Sequence, residues 1–234
     1  MNPSMKYLFI IAFLFLGFHL KAKDLIVSGY YINLNNDTVN TRFSIPFKKG
    51  QLLSKKDASV PIIMDDIYGS TTSGLLRKDI PDLLHLQKSV VALDKVGSRN
   101  EIKPSDVKKF TIFAEKDTFT FVSIPVKLNF TDNLSPIFML SLVSGKVELF
   151  QTTRYFGEPS PQKETIYFIR KSDDAIYRYD DAFFYISLIK YLHDWPNLNT
   201  VINDSKYKTL DIASILEEYN QLVKENGDKI INKN

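Results

Sequence analysis

PIFMLSLVSGKVELFQTT, Pro136–Thr153, is the stretch whose reading decides the fold. Its first arm is apolar at Ile137, Phe138, Met139, Leu140, Leu142 and Val143. A strand with no polar side must be covered on both faces, so this arm reads as a central strand. Ser144-Gly145 closes a hairpin, since glycine tolerates the positive φ that a tight turn demands. Lys146–Thr153 then returns alongside.

Upstream the same logic repeats. Lys109–Ala114 and Asp117–Ile124 flank Glu115-Lys116 as a second hairpin. LIVSGYYINL, Leu25–Leu34, is rich in β-branched and aromatic residues and pairs with Thr38–Phe47 across Asn35-Asn36-Asp37, residues that accept left-handed geometry. Ser89–Val96 reads as a strand ended by Gly97, and Pro104-Ser105-Asp106 as a single helical turn. The signal is weaker over 48–88. There Val60–Met64 reads as a short strand, Gly69–Gly74 as a loop and Ile80–Leu86 as a helical turn begun at Pro81, together an insertion over one end of the sheet.

Downstream, Thr165–Arg170 is the last strand before a helical region. Phe183, Phe184, Tyr185, Ile186, Leu188, Ile189, Tyr191 and Leu192 leave the helix Ala182–Leu192 almost no polar stripe, which predicts burial between the sheet and the final helix. It is too short to span a bilayer, which takes roughly 20 apolar residues. Trp195 before Pro196 ends it, and a short helix runs on to about Asn203. In the final helix Ile212, Ile215, Leu216, Tyr219, Leu222 and Val223 repeat at helical spacing, with Glu217, Glu218, Gln221 and Lys224 largely opposite. Strands joined by short hairpins and followed by helices predict an α+β fold, an antiparallel β-rich body with C-terminal helices packed on it. The chain divides into residues 1–22 as a signal peptide, 23–172 as the β-rich part, 173–226 as the helical part of the same domain, and 227–234 as a tail.

The targeting reading rests on Lys6, the apolar run Tyr7–Phe18 and the small residue Ala22. Lys21 and Lys23 follow the run, and cleavage near Ala22 leaves no transmembrane span. The expected localisation is periplasmic or extracellular. The chain has 234 residues and no cysteine, so disulfides, a lipoprotein anchor and thiolate metal sites are excluded. Without Lys6 and Lys21, two of its 30 basic residues, the chain stands within about one charge of neutrality against 27 acidic ones. Such a balance gives no pull toward nucleic acid.

Four segments in order, GYYINLNNDTV (Gly29–Val39), IKPSDVKKF (Ile102–Phe110), LVSGKVELF (Leu142–Phe150) and the ending LHDWPNL…YKTLDIASILEEYN, resemble a family of exported bacterial envelope proteins of unknown function. The resemblance implies export and an α+β fold, and implies nothing about chemistry.

Candidate sites are few. Asp79, Asp82 and His85 stand at i, i+3, i+6, a spacing that could hold a hard metal on one helix side, although a solvated turn after Pro81 explains them as well. His193-Asp194 suits a helix end. The acid pairs Asp65-Asp66, Asp173-Asp174 and Asp180-Asp181 read as turns and caps. No nucleophile elbow, phosphate loop, dinucleotide fingerprint or zinc-protease helix occurs, which points away from catalysis, and no cofactor or metal site is assigned. The most suggestive feature is aromatic. Tyr155, Phe156, Tyr167, Phe168, Tyr177 and Tyr179 crowd together with Arg154, Arg170 and Arg178. Rings beside arginines can stack a sugar or grip a peptide, while strand alternation would bury half of them. Tyr155, Tyr177, Arg178 and Tyr179 are the expected binding surface. The expected function is a non-catalytic envelope module that binds a protein or glycan. The alternatives are an envelope-polymer hydrolase and a peripheral outer-membrane assembly factor.

Overall fold

A computed structural model describes residues 24–51, 77–114, 117–129, 132–156, 162–171, 176–178, 188, 190–195 and 212–226. The expected strand Val60–Met64, loop Gly69–Gly74, most of helix Ala182–Leu192 and the short helix after Pro196 lie outside them.

Asn33 starts the first turn by accepting the amides of Asn35 and Asp37 on its Oδ1, each at 2.9 Å, and Asn36 takes φ 71°. This joins β1 (Asp24–Asn33) to β2 (Thr38–Gln51). The remaining strands are β3 (Arg77–Pro81), β4 (Val90–Leu93), β5 (Arg99–Ile102), β6 (Val107–Ala114), β7 (Asp117–Val126), β8 (Ser135–Val143), β9 (Val147–Phe156), β10 (Gln162–Lys171) and β11 (Tyr177–Arg178). The described helices are α1 (Leu83–Leu86) and α2 (Ile212–Asn226). All the pairings are antiparallel, in the order β11-β10-β9-β8-β7-β6-β1-β2-β4-β5, with β3 alongside β2. The fold is the expected β-rich α+β architecture, and β8 lies inside the sheet between β7 and β9.

Register assigns the faces. On the inner face Phe110 lies opposite Phe121, and their rings stack at 4.6 Å. Phe138 meets Phe110 edge-on at 4.8 Å, and Phe43 packs at 5.4 Å. Leu83 and Leu86 of α1 close this core. Farther along the same face Val143, Val147, Leu149 and Ile169 receive Ile212, Ile215, Leu216 and Tyr219 of α2, together with Leu188, Leu192 and Trp195. The outer face buries Ile124, Ile137, Met139, Phe150, Ile166 and Phe168. β8 therefore serves two cores, Phe138 and Leu140 the inner and Ile137 and Met139 the outer, which is why every position from Ile137 to Leu140 is apolar.

Three expectations change. Pro81 ends strand β3, and Asp82 caps α1 by accepting the Leu84 amide at 3.2 Å, so the helical turn starts after the proline's own strand. The strand from Ser89 stops at Leu93, because Asp94 Oδ1 takes the amides of Val96 (2.9 Å) and Ser98 (2.7 Å). With Gly97 at φ 88° this forms a tight turn into β5, an element the sequence reading lacked. Finally, α2 rests on the sheet itself. Asn220 accepts the Val147 amide and donates to the Val147 carbonyl, both at 2.8 Å, so its side chain pairs with β9 as a strand would. Gly145, at φ 153°, makes room for it, since a Cβ there would stand 2.5 Å from the Asn220 carbon. Leu192 donates to the Leu188 carbonyl at 2.8 Å, one helical bond of the preceding segment. Among the described residues no helix is long and apolar enough to cross a membrane.

Candidate cleft between diverging strands

β8 and β9 pair from Val143–Leu149 to Leu140–Gln151 and then part. Continued by two residues at a step, that register would set Phe138 opposite Thr153 and Pro136 opposite Tyr155. Gln87, just beyond α1, occupies the opening instead. Its carbonyl accepts the Phe138 amide at 3.0 Å, and its Nε2 donates to the Thr153 carbonyl and to Thr152 Oγ1, the latter at 2.7 Å. Gln87 is 5 % exposed, so these bonds replace water that it could not otherwise keep. The capping by Asp82 and the burial of Leu83 and Leu86 fix where Gln87 stands.

Both banks of the opening are braced. The turn before β6 is closed by Asp106, which accepts the Lys103 amide at 3.0 Å and the Ser105 hydroxyl at 2.9 Å. Those hydrogen bonds, with the Lys103 amide foremost, hold the Asp106 carboxyl below its ordinary value. Ser123 Oγ donates to the Pro104 carbonyl at 2.5 Å and ties the turn to β7. On the other side Arg154 Nη1 reaches the Leu128 carbonyl at 3.0 Å and Asn129 Oδ1 at 3.2 Å. Asp132 Oδ2 accepts both the Asn129 amide (2.9 Å) and its side-chain nitrogen (3.1 Å).

Beside this opening, walled by the end of α1, the turn before β6, the β7–β8 connection and the start of β8, lies a cleft of about 660 Å³, lined by Gln87, Lys88, Lys103, Pro104, Ser105, Leu128, Asp132, Asn133, Ser135, Pro136 and Ile137. Its size falls within the roughly 300–1,000 Å³ of pockets that hold small ligands. The lining combines apolar plates with hydroxyl, amide, ammonium and carboxylate groups. None of this was assigned from the sequence, because the wall comes from three separate connections and the start of β8.

The aromatic surface is only partly assembled. Tyr155 and Tyr177 are both exposed, at 54 % and 43 %, and both lie on the inner face. Tyr155 stands opposite Lys163 and Tyr177 opposite Ile169, six positions apart along β10. At about 3.3 Å per residue they are roughly 20 Å apart, too far for one small ligand. Tyr177 stacks on Tyr191 at 6.3 Å. Arg178 belongs to the outer face, 3.7 Å from Glu164. Tyr179 lies outside the described residues. The arginines face carboxylates, Arg154 at 2.5 Å from Glu164 and Arg170 at 2.6 Å from Glu148, each directly across the β9–β10 register. Phe168 is buried and Tyr167 packs on the α2 core, as strand alternation requires.

A second polar cluster is buried. Lys171 Nζ lies 2.7 Å from Asp194 Oδ2, and the Tyr219 hydroxyl donates to the same oxygen at 2.8 Å. Burial raises the Asp194 carboxyl, but the bonds from Lys171 and Tyr219 and the lysine charge outweigh it, and the group sits below its ordinary value. This cluster ties β10 to α2 and reads as structural. His85 Nδ1 lies 3.0 Å from Asp82 Oδ2, whereas Asp79 is on β3, so the three do not share a helix side. Among the described residues no group of three possible ligands could hold a metal ion.

No family model matches the chain, and no curated protein or solved structure matches it.

Proposed function

We propose that the chain is exported and serves in the cell envelope as a binding module, holding a partner protein or glycan at the cleft beside the start of β8. The observation that carries this reading is Gln87. A sheet that could have continued its ladder is instead held open by a buried side chain that satisfies both strands. Such an opening forgoes strand pairing, and a concave, braced site is where ligands bind. The apolar run Tyr7–Phe18 after Lys6 supports export.

The test is capture from the envelope fraction of the producing cells. Immobilised wild-type protein is compared with Ser135→Trp, which fills the cleft from an exposed position on β8. The reading expects a component that the wild type retains and the variant loses. Equal capture by both would place binding elsewhere.

A further inference from the structure

We infer that the cleft takes an acidic carbohydrate, its carboxylates paired with Lys88 and Lys103. The inference rests on the reading of the cleft as the binding site and names the ligand class. An extended peptide would bind an open strand edge through backbone hydrogen bonds. Where β8 and β9 part, beside the cleft, three positions give such a peptide nothing. The Phe138 amide goes to the Gln87 carbonyl, the Thr153 carbonyl to Gln87 Nε2, and Pro136 has no amide hydrogen to give. Strand addition at these positions is therefore closed, and recognition in the cleft falls to side chains.

Those side chains suit a sugar. Ser105, Asn133 and Ser135 offer donors and acceptors to hydroxyl groups, and Pro104, Leu128 and Pro136 offer apolar plates to ring C–H faces. Two lysines line the cleft against one carboxylate, Asp132, and the Asp106 carboxylate beside it faces the Lys103 charge. Asp132 Oδ2 is already occupied by both nitrogen donors of Asn129. Lys88 and Lys103 are exposed and able to swing over an anion at the rim.

The experiment is isothermal titration of the purified protein with trigalacturonate and with trisialic acid. Maltotriose serves as the neutral control and hexaglutamate as the acidic peptide. At least one acidic sugar should bind, with maltotriose about tenfold weaker or undetectable. The double variant Lys88→Ala/Lys103→Ala should lose about tenfold, and Lys88→Arg/Lys103→Arg should retain most of the affinity. Added salt should weaken binding, because rim charges are screened. Equal affinity for maltotriose, unchanged affinity in the double alanine variant, tighter binding of hexaglutamate, or binding of neither acidic sugar would overturn the inference. If Ser135→Trp still loses its envelope component while neither acidic sugar binds, the ligand class is wrong and the cleft stands. If Ser135→Trp loses nothing, the cleft itself is wrong.

Discussion

Leu216→Ala tests whether the terminal helix belongs to the fold or merely adheres to it. Leu216 is fully buried, in a cluster with Val143, Val147, Leu149, Ile169, Leu192 and Trp195. The substitution removes three carbons, each worth about 0.8 kcal/mol of transfer. The surrounding side chains come from β8, β9, β10 and the Leu188–Trp195 segment, so the site cannot fully collapse and a cavity remains. Comparable Leu→Ala changes cost about 2.7–5 kcal/mol. Taking about 3 kcal/mol, and roughly 2–4 °C per kcal/mol for a chain of this size, the midpoint should fall by some 6–12 °C. Lys224 is exposed on the same helix and supplies the control, with Lys224→Ala expected within about 0.5 kcal/mol of wild type. It is a better control than Glu218, which helical spacing puts on the polar side but which is half-buried. Thermal and urea melts of the three proteins decide the matter. Should Leu216→Ala and Lys224→Ala melt together, α2 contributes nothing to the cooperative unit and the packing argument fails.

Other expectations follow from single contacts. Gly29→Ala would drive a Cβ into the Thr111 carbonyl and within 3.0 Å of the Phe43 ring, so it should cost roughly 1–3 kcal/mol or more, while the exposed neighbour Ser28→Ala stays near zero; equal melts would contradict the close approach of β1 to β6. Because Asp194 is held below its ordinary carboxyl value of 3.8, its contribution is present above that pH and lost as pH falls through the lower folded value. Urea melts between pH 7 and pH 2.5 should show this loss in wild type and lack that component in Asp194→Asn; identical pH profiles would refute it. N-terminal sequencing of native protein should begin at Lys23 or within a few residues, and a mature chain starting at Met1 or Met5 would end the export reading.

Much of the fold was legible because local chemistry decided it. Asn33 and Asn36 set one turn, Gly145 another, and the apolar run Ile137–Leu140 of β8 announced coverage on both faces. β5 was missed because Arg99-Asn100-Glu101-Ile102 is an edge strand with only Ile102 buried, so it carries no alternation to read. β3 was mistaken at Pro81 because a proline that opens a helix and one that closes an edge strand look alike in sequence. The arginines among the aromatics suggested a ligand, yet Glu148–Arg170 and Glu164–Arg154 are cross-strand pairs, a relation visible only once the register is known. The cleft was invisible for a similar reason. Lys88, Lys103, Asp132 and Ser135 are separated along the chain and meet only in the folded cleft.

The most direct test of that arrangement is hydrogen exchange of the purified protein with and without its envelope glycan fraction. Slowed exchange should concentrate in peptides covering 87–88, 103–106 and 128–138, leaving α2 unchanged. Protection confined to β10, β11 or α2, or no protection at all, would contradict the cleft as the binding site.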